Sequence, residues 1–207
     1  MERGYIMSEQ LERVASALNG RGFMAEVFAD ASAAKCRLME LIGDRSVGIG
    51  GSSTVDGLGV YEDLLKKGNT VHWHWKEPDM NAARARASQA QVYVASSNAL
   101  SEDGCLVNTD GHGNRVAGMF FGPPVVVLLI GCNKIVPDLE AALLRVKEKA
   151  APLNAKRLNL DTPCGATGTC ADCRSGARMC NVTSILEGRP GHVQEFRILL
   201  VDEELGF

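Results

Sequence analysis

Repeated alternation of strand and helix patterns is the feature that most constrains the fold of this chain of 207 residues. Its clearest strand is "PPVVVLLIG" (123–131), which is apolar throughout, as expected of a central strand covered on both faces. A long helix pattern beginning at Pro137 follows it. Such alternation favours a sheet of mainly parallel strands with helices on both faces. The sequence therefore predicts a three-layer α/β fold with a mainly parallel sheet.

The texture of the sequence changes near Asp161, where glycine, threonine, serine, arginine and cysteine replace the apolar periodicity. We therefore divide the chain into an α/β core (1–160), a cysteine-rich metal-binding segment (161–192) and a returning C-terminal strand (193–207). The strand "VQEFRILLV" is expected to pair with the edge of the sheet. An exposed strand there, beside a metal-binding loop, favours a protein partner or a homo-oligomer.

Composition excludes several classes of function. The net charge of −3 gives no basic footprint for nucleic acid. The longest apolar run is far too short to span a bilayer, and the first residues lack the apolar core of a signal peptide. We expect a cytoplasmic protein with no membrane span, whose cysteines stay reduced and whose partner is a small molecule or another protein.

The first candidate site is the loop in "GIGGSSTVDGLGVYEDL" (48–64). Glycines after a strand let backbone N–H groups converge, and hydroxyls add donors, so the loop is a candidate anion cradle. Because it lacks the Walker lysine and the dinucleotide fingerprint, a tight turn capped by serine or threonine is an equal alternative. The candidate anion-binding residues are Gly50, Gly51, Ser52, Ser53 and Thr54.

The second candidate site is the polar stretch at 96–123, in which "EDG" predicts a hairpin joining "NALS" to "CLVN". Turn chemistry explains the residues of the hairpin turn, but the number of other hydrogen-bonding side chains exceeds what two turns need. We predict Asp110 and Arg115 as catalytic residues, with Glu102 as an alternative acid or base. The candidate ligand-binding residues are Asn98, Asn108, Asn114 and Arg115.

The third candidate site is "TPCGATGTCADCRSGARMCN", which places Cys164, Cys170, Cys173 and Cys180 within seventeen positions. The central "CADC" spacing lets two sulfurs bind one metal. Zinc usually takes two such close pairs, whereas two isolated outer cysteines better suit a 4Fe-4S cluster with one thiolate on each iron. A 4Fe-4S cluster is therefore the preferred cofactor, and structural zinc and redox thiols are the alternatives.

Five stretches together resemble the LUD-domain family, named for lactate utilisation, from about residue 8 to the end. They are the stretches at 48–64 and 97–123, followed by "GCNKIVPDLEAALLRVKEKAAPLNAKRL", "TPCGATGTCADCRSGARMCNV" and "VDEELGF". The resemblance implies a fold similar to the ribose-5-phosphate isomerase and CoA-transferase group. It also implies a role in bacterial oxidation of L-lactate to pyruvate, beside iron–sulfur partner subunits.

The family pattern carries over to the loop at 50–54, to the clustered cysteines, and to Asn98, Asp103, Asn108, Asp110, Asn114 and Arg115. One departure concerns the related isomerases, which have an acid in a "GAD" setting where this chain has Ser97-Asn98-Ala99. An amide does not exchange a proton as a carboxylate does, so aldose–ketose isomerase chemistry is disfavoured.

Three functions follow from this reading. The first is an iron–sulfur redox component that binds a small anionic metabolite. The second is a non-redox enzyme, similar to an isomerase or transferase, acting on a phosphorylated or CoA-linked molecule and containing structural zinc. The third is a ligand-binding regulatory subunit without turnover.

Overall fold

The computed structural model describes the backbone of residues 2–207 and the side chains of residues 9–207. The helices are α1 (Glu2–Gly20), α2 (Ala31–Ile42), α3 (Ser53–Gly57), α4 (Val60–Lys67), α5 (Met80–Ala87), α6 (Asn114–Phe120), α7 (Leu139–Arg145), α8 (Ala151–Arg157) and α9 (Pro163–Thr167). The strands are β1 (Met24–Phe28), β2 (Val47–Ile49), β3 (Val71–Trp73), β4 (Val92–Ala95), β5 (Ala99–Ser101), β6 (Leu106–Asp110), β7 (Val125–Gly131), β8 (Ile135–Val136), β9 (Val182–Leu186) and β10 (Glu195–Val201).

The main sheet has six parallel strands in the order β1-β10-β7-β4-β2-β3. Strand β7 is buried along its whole length and divides the core in two. Its alternate residues Val126 and Leu128 pack with α1 and α6, whereas Val127 and Leu129 pack with α2 and α4. The predicted α/β fold with a mainly parallel sheet is therefore confirmed.

The C-terminal strand β10 is not an edge strand, so that prediction was wrong. It lies between β1 and β7, where Ile198 pairs with Leu128. The continuous apolar run Ile198–Val201 is fully buried, as is typical of an internal strand of a parallel sheet. The argument for a partner from an exposed C-terminal strand therefore fails.

A second, smaller sheet has the strand order β8-β5-β6-β9. It contains the predicted hairpin, in which β5 and β6 pair antiparallel with Ala99 opposite Val107. Strand β9, which lies inside the segment 161–192, pairs antiparallel with β6. The cysteine segment is therefore held at one end by α9, which packs on α8, and at the other by β9.

The long helix predicted after Pro137 is interrupted by a single π turn at Val146–Ala150, between α7 and α8. The wide turn directly precedes Pro152, whose missing N–H leaves the preceding turn without one hydrogen bond. Val146 and Ala150 in this turn line the cavity described below. Across residues 2–207, no helix has the length and apolar character needed to cross a membrane.

Candidate functional site

A cavity of about 860 Å³ lies at the carboxyl edge of the main sheet. Residues that follow four parallel strands contribute to its wall: Ser52 after β2, Trp75 after β3, Ser97 after β4 and Lys134 after β7. This is the edge at which parallel α/β sheets bind ligands. This volume lies within the range of small-molecule and cofactor sites in proteins.

Most of the predicted binding residues meet in this cavity. Those that line it are Gly51, Ser52, Ser53, Thr54, Asn98, Asp110, Asn114 and Arg115. Gly50 and Asn108 are not part of the wall, and Asn108 is fully buried. The two polar stretches that were predicted separately therefore form one site.

The glycine and hydroxyl loop is largely occupied by bonds within the protein. The Gly50 N–H donates to the Val94 carbonyl at 3.0 Å, and Ser52 Oγ accepts from the Val55 N–H at 3.3 Å as a helix cap. The following helix α3 has only five residues. The capped-turn alternative thus describes Gly50 and Ser52, while anion binding by the rest of the loop stays a prediction.

Gly50 is needed for close packing. A Cβ atom at this position would lie 2.9 Å from Arg115 Cγ and 2.9 Å from the Tyr93 hydroxyl, closer than carbon atoms normally approach. The absence of a side chain lets the buried Arg115 pass directly over the end of β2.

We expect Gly50→Ala to lower the free energy of unfolding by about 1–3 kcal/mol, because Arg115 and Tyr93 must move to admit the methyl group. Urea denaturation would measure the loss. Gly57→Ala is the matched control, since a Cβ there meets no atom within 4 Å. Equal stabilities of the two variants would show that the contact at Gly50 is not restrictive.

Arg115 is 6% exposed and its guanidinium is held from four sides. Nη1 donates to the Ser96 carbonyl at 3.0 Å and to Asn108 Oδ1 at 2.8 Å. Nη2 donates to Asn98 Oδ1 at 2.6 Å and to the Thr109 carbonyl at 2.7 Å. Burial lowers the pKa of Arg115, although the side chain stays charged. Arg115 therefore fixes Asn98 and Asn108 and brings positive charge to the cavity, with few donors left for a ligand.

The predicted acid Asp110 lies at the end of β6 and is half-buried. Its Oδ2 accepts from the Arg115 N–H at 3.0 Å, and its carbonyl accepts from the Asn181 N–H at 3.1 Å. Asp110 thus joins the Arg115 helix to the end of the cysteine segment. A catalytic role for its carboxylate stays a prediction.

His74 lies in the cavity wall just beyond β3, whereas His72 within that strand contacts Arg86 and Glu77. Burial, followed by the charge of Arg84, lowers the pKa of His74 to about 4. The buried His74 Nδ1 has no hydrogen-bond partner among the described side chains. His74 is therefore a neutral imidazole with one buried nitrogen left without a partner in the described structure.

Lys134, which the sequence reasoning did not single out, is 3% exposed and lines the same cavity. Its Nζ donates to Thr54 Oγ1 at 2.9 Å and to Ser96 Oγ at 2.8 Å. Burial, together with the positive charges of Arg145 and Arg115, lowers the pKa of Lys134 to about 7. A substantial share of this amine is therefore uncharged at neutral pH.

Arg145, on α7, is the third buried basic residue near Asn98, after Arg115 and Lys134. Its guanidinium donates to the carbonyls of Asn98 and Asn133 and to the Phe207 oxygen at 3.3 Å. Among the described side chains, Asp110 is the only carboxylate bonded to any of the three residues, and that bond is to the backbone N–H of Arg115. This end of the cavity therefore has an excess of positive charge, which an anion would balance.

The other end of the cavity is apolar and aromatic. The Arg157 guanidinium lies over the Trp75 ring at 4.5 Å, and the ring also stacks on Trp73. The apolar residues that line this end are Trp75, Met80, Leu158, Leu160 and Met179. The cavity thus combines a cationic end with a surface that suits a planar or apolar group.

The cysteine segment forms one wall of this cavity, through Gly176–Met179 and Asn181. Cys180 lines an adjoining recess of about 400 Å³ together with Arg174 and Arg178. Arg178 donates to the carbonyls of Cys173 and Cys180 and thereby holds the two backbone stretches together. The recess and the cavity share Gly176, Arg178 and Asn181, so the two sites are adjacent.

Comparison with known proteins agrees with the resemblance seen in the sequence. The model of the LUD domain family matches residues 11–201. The chain belongs to the LUD-domain family. A solved DUF162 family protein from Deinococcus radiodurans has a similar fold, with a TM-score of 0.57 and 13% identity over 94% of this chain and 98% of that chain. No curated protein has a matching sequence.

The cysteines of this LUD-domain chain are suitable metal ligands by their chemistry, but their arrangement is not that of a formed metal site. All seven thiols are free, and the four clustered ones are half-buried. Within residues 9–207, however, no group of three or more histidine, cysteine or acidic side chains is placed to hold one metal ion. A thiolate-bound metal would therefore require the segment to close around it, as is common for sites that form only on binding.

Proposed function

We propose that this LUD-domain chain is a redox component of L-lactate utilisation, which binds a small carboxylate in the cavity and a 4Fe-4S cluster in the cysteine segment. The observation that carries the proposal is the shared wall: Gly176, Arg178 and Asn181 line both the cavity and the recess that contains Cys180. A ligand and a cluster in these places would be neighbours. Short separation is what electron transfer between them requires.

The charge balance of the cavity supports an anionic ligand. Arg115, Lys134 and Arg145 are buried near one another, and both arginines lower the pKa of Lys134. Asp110 is a counter-charge for Arg115, whereas Lys134 and Arg145 have no carboxylate side chain bonded to them in the described structure. Burying such cations is costly, and a bound carboxylate would offset that cost. Asn98 and Asn114 lie in the same wall and supply amide donors for the ligand's oxygens.

The four cysteines would hold the cluster, which supplies one-electron chemistry when bound. Arg174 and Arg178 lie beside Cys180 and would offset the negative charge of a thiolate-bound cluster. The neighbouring Cys180, followed by the Asp172 carboxylate, raises the pKa of Arg178. These charges favour an anionic metal centre over neutral thiols.

The finer parts of the proposal come from the family resemblance and from the cysteine pattern of the sequence. They are the similarity of the sheet to the ribose-5-phosphate isomerase and CoA-transferase group, the treatment of 161–192 as a metal-binding unit, and iron–sulfur partner subunits as electron acceptors. Sequence inspection finds no flavin or nicotinamide fingerprint, so the final acceptor would be supplied by a partner.

Anaerobic purification followed by iron, zinc and acid-labile sulfide analysis tests the proposal. We expect brown protein with iron and sulfide in equal amounts, and Cys173→Ser should lose most of both. Cys36→Ser is the matched control, because Cys36 is exposed on α2, outside the cluster. Its iron content should equal that of the wild type.

The two alternative functions predict different results. Colourless protein with one zinc per chain would instead support the non-redox enzyme on a phosphorylated or CoA-linked substrate. Metal-free protein that still binds a carboxylate would support the regulatory subunit. Unchanged metal content in Cys173→Ser would contradict every model in which the four cysteines share a metal.

A further inference from the structure

Lys134 is positioned as a reactive amine would be. It ends the short 3-10 turn Cys132–Lys134 that directly follows the central strand β7, so its backbone is fixed by the core. The side chain is 3% exposed, yet it forms part of the cavity wall. The amine is therefore shielded from bulk water and open to a ligand in the cavity.

The hydrogen bonds of Lys134 leave one position on nitrogen unused. Thr54 Oγ1 donates its own proton to the Leu205 carbonyl at 3.3 Å, and Ser96 Oγ donates to the Ser97 carbonyl at 3.4 Å. Both hydroxyl oxygens therefore accept from Lys134 Nζ, which uses two N–H groups. The remaining position carries a proton in the ammonium form and a lone pair in the neutral amine.

The surroundings of Lys134 favour the neutral amine. The charges that act on it most strongly belong to Arg145 and Arg115, and both are positive. A lysine that serves only structure usually has a carboxylate partner, whereas desolvation beside other cations is the usual way to make a lysine nucleophilic. A charged lysine with a carboxylate partner would stabilise the fold better than Lys134 does. It would also suit simple anion binding better.

We infer that Lys134 condenses reversibly with a small 2-oxo carboxylate to form an imine. The nitrogen lone pair adds to the carbonyl carbon, two protons pass from nitrogen to the carbonyl oxygen, and water leaves as the C=N bond forms. No electrons are exchanged with another molecule. The hydroxyls of Thr54 and Ser96 contact the amine and are placed to relay these protons.

The carboxylate part of this inference rests on the proposed anion site. Arg115 and Arg145 place positive charge near the amine, and Arg84 in the same wall has a buried Nε–H without a partner in the described structure. A carbonyl compound with an adjacent carboxylate would bring its anion to these groups. A neutral carbonyl compound of the same size would lack that attraction.

Reductive trapping tests the inference. Protein purified anaerobically is incubated with pyruvate and cyanoborohydride at pH 7, and the modified lysines are located by peptide mass spectrometry. We expect Lys134 to be modified about tenfold more than the exposed Lys66, because Lys134 has a lowered pKa and lies in the wall of the cavity that holds the ligand. Hydroxyacetone, an uncharged ketone of similar size, should modify Lys134 much less.

Lys134→Arg keeps the charge and should abolish this modification while leaving the modification of Lys66 unchanged. An unmodified Lys134 beside modified surface lysines would overturn the inference. Equal modification of Lys134 by pyruvate and by hydroxyacetone would show that the carboxylate of the ligand does not contribute to the reaction. Calorimetry with pyruvate and L-lactate separates the two proposals. Ligand binding without reductive trapping would contradict only the imine, whereas the absence of binding would contradict the anion site.

Discussion

Arg115→Leu is expected to lower the free energy of unfolding by about 3–5 kcal/mol, a large share of the stability of a domain this size. The substitution removes four hydrogen bonds at once and leaves the Ser96 and Thr109 carbonyls without their partner. Asn108 Oδ1 is fully buried and would lose its charged donor. Buried polar groups left unpaired carry the full cost of their desolvation.

Urea denaturation monitored by circular dichroism would measure this loss. Arg84→Leu is the matched control, because Arg84 lines the same cavity but, within the described side chains, its only hydrogen bond is to the nearby Asn81. We expect that control to lose less than about 1 kcal/mol. A comparable, small loss in both variants would mean that Arg115 is available to ligands and does not organise the site.

Lys134→Met is expected to act in the opposite direction and to raise the free energy of unfolding by about 1–3 kcal/mol at pH 6. Methionine fills similar space without a charge, and it relieves the repulsion from Arg115 and Arg145. The same change should weaken binding of an anionic ligand at least about tenfold, since a charge-assisted hydrogen bond is lost. A gain in stability with a loss of binding is the signature of a functional residue.

The stability gain in Lys134→Met should depend on pH in a defined window. The pKa of Lys134 is about 7 in the folded protein against 10.5 for the free side chain. Below pH 7 both states are protonated and the folded state bears the full cost of the buried charge. Between these values the unfolded chain binds more protons, so wild-type stability rises with pH and the gain from Lys134→Met shrinks.

The charged groups that act on Lys134 do not titrate in this window. Arg115 and Arg145 remain charged, and His74 is already neutral because its pKa is about 4. Lys66→Met, at an exposed lysine of α4, is the control and should show neither the gain nor its pH dependence. A stability difference that is constant from pH 6 to pH 10 would contradict the assignment of a neutral amine to Lys134.

The sequence was sufficient for the architecture because parallel strands have a strong local signal. The run Val125–Ile130 is apolar without alternation, and its burial on both faces follows directly. The position of β10 was predicted wrongly, because pairing order depends on which strands are neighbours in space and not on the pattern of any one strand. A continuous apolar run such as Ile198–Val201 was nevertheless a usable signal for an internal strand.

The candidate site was predicted in part for the same reason. Ser52 and Asn98 follow strands of the main sheet that end at one edge, so their meeting could be expected. Asp110 ends β6 of the second sheet, and the strand pattern alone did not place it beside them. Lys134 also lies just after a buried strand, and that position could have identified it as a candidate site residue. Arg145 gave no comparable signal, because it lies in a helix whose adjacent Leu143 and Leu144 are the more exposed residues.

The central claim is that a carboxylate in the cavity and a cluster in the cysteine segment are neighbours. An anaerobic titration with pyruvate, followed through the visible thiolate-to-iron absorbance, tests this most directly. We expect wild-type protein to have this absorbance, saturating pyruvate to shift it, and Lys134→Met to need at least about tenfold more pyruvate for the same shift. Colourless protein, or an absorbance that does not respond while calorimetry shows pyruvate bound, would contradict it.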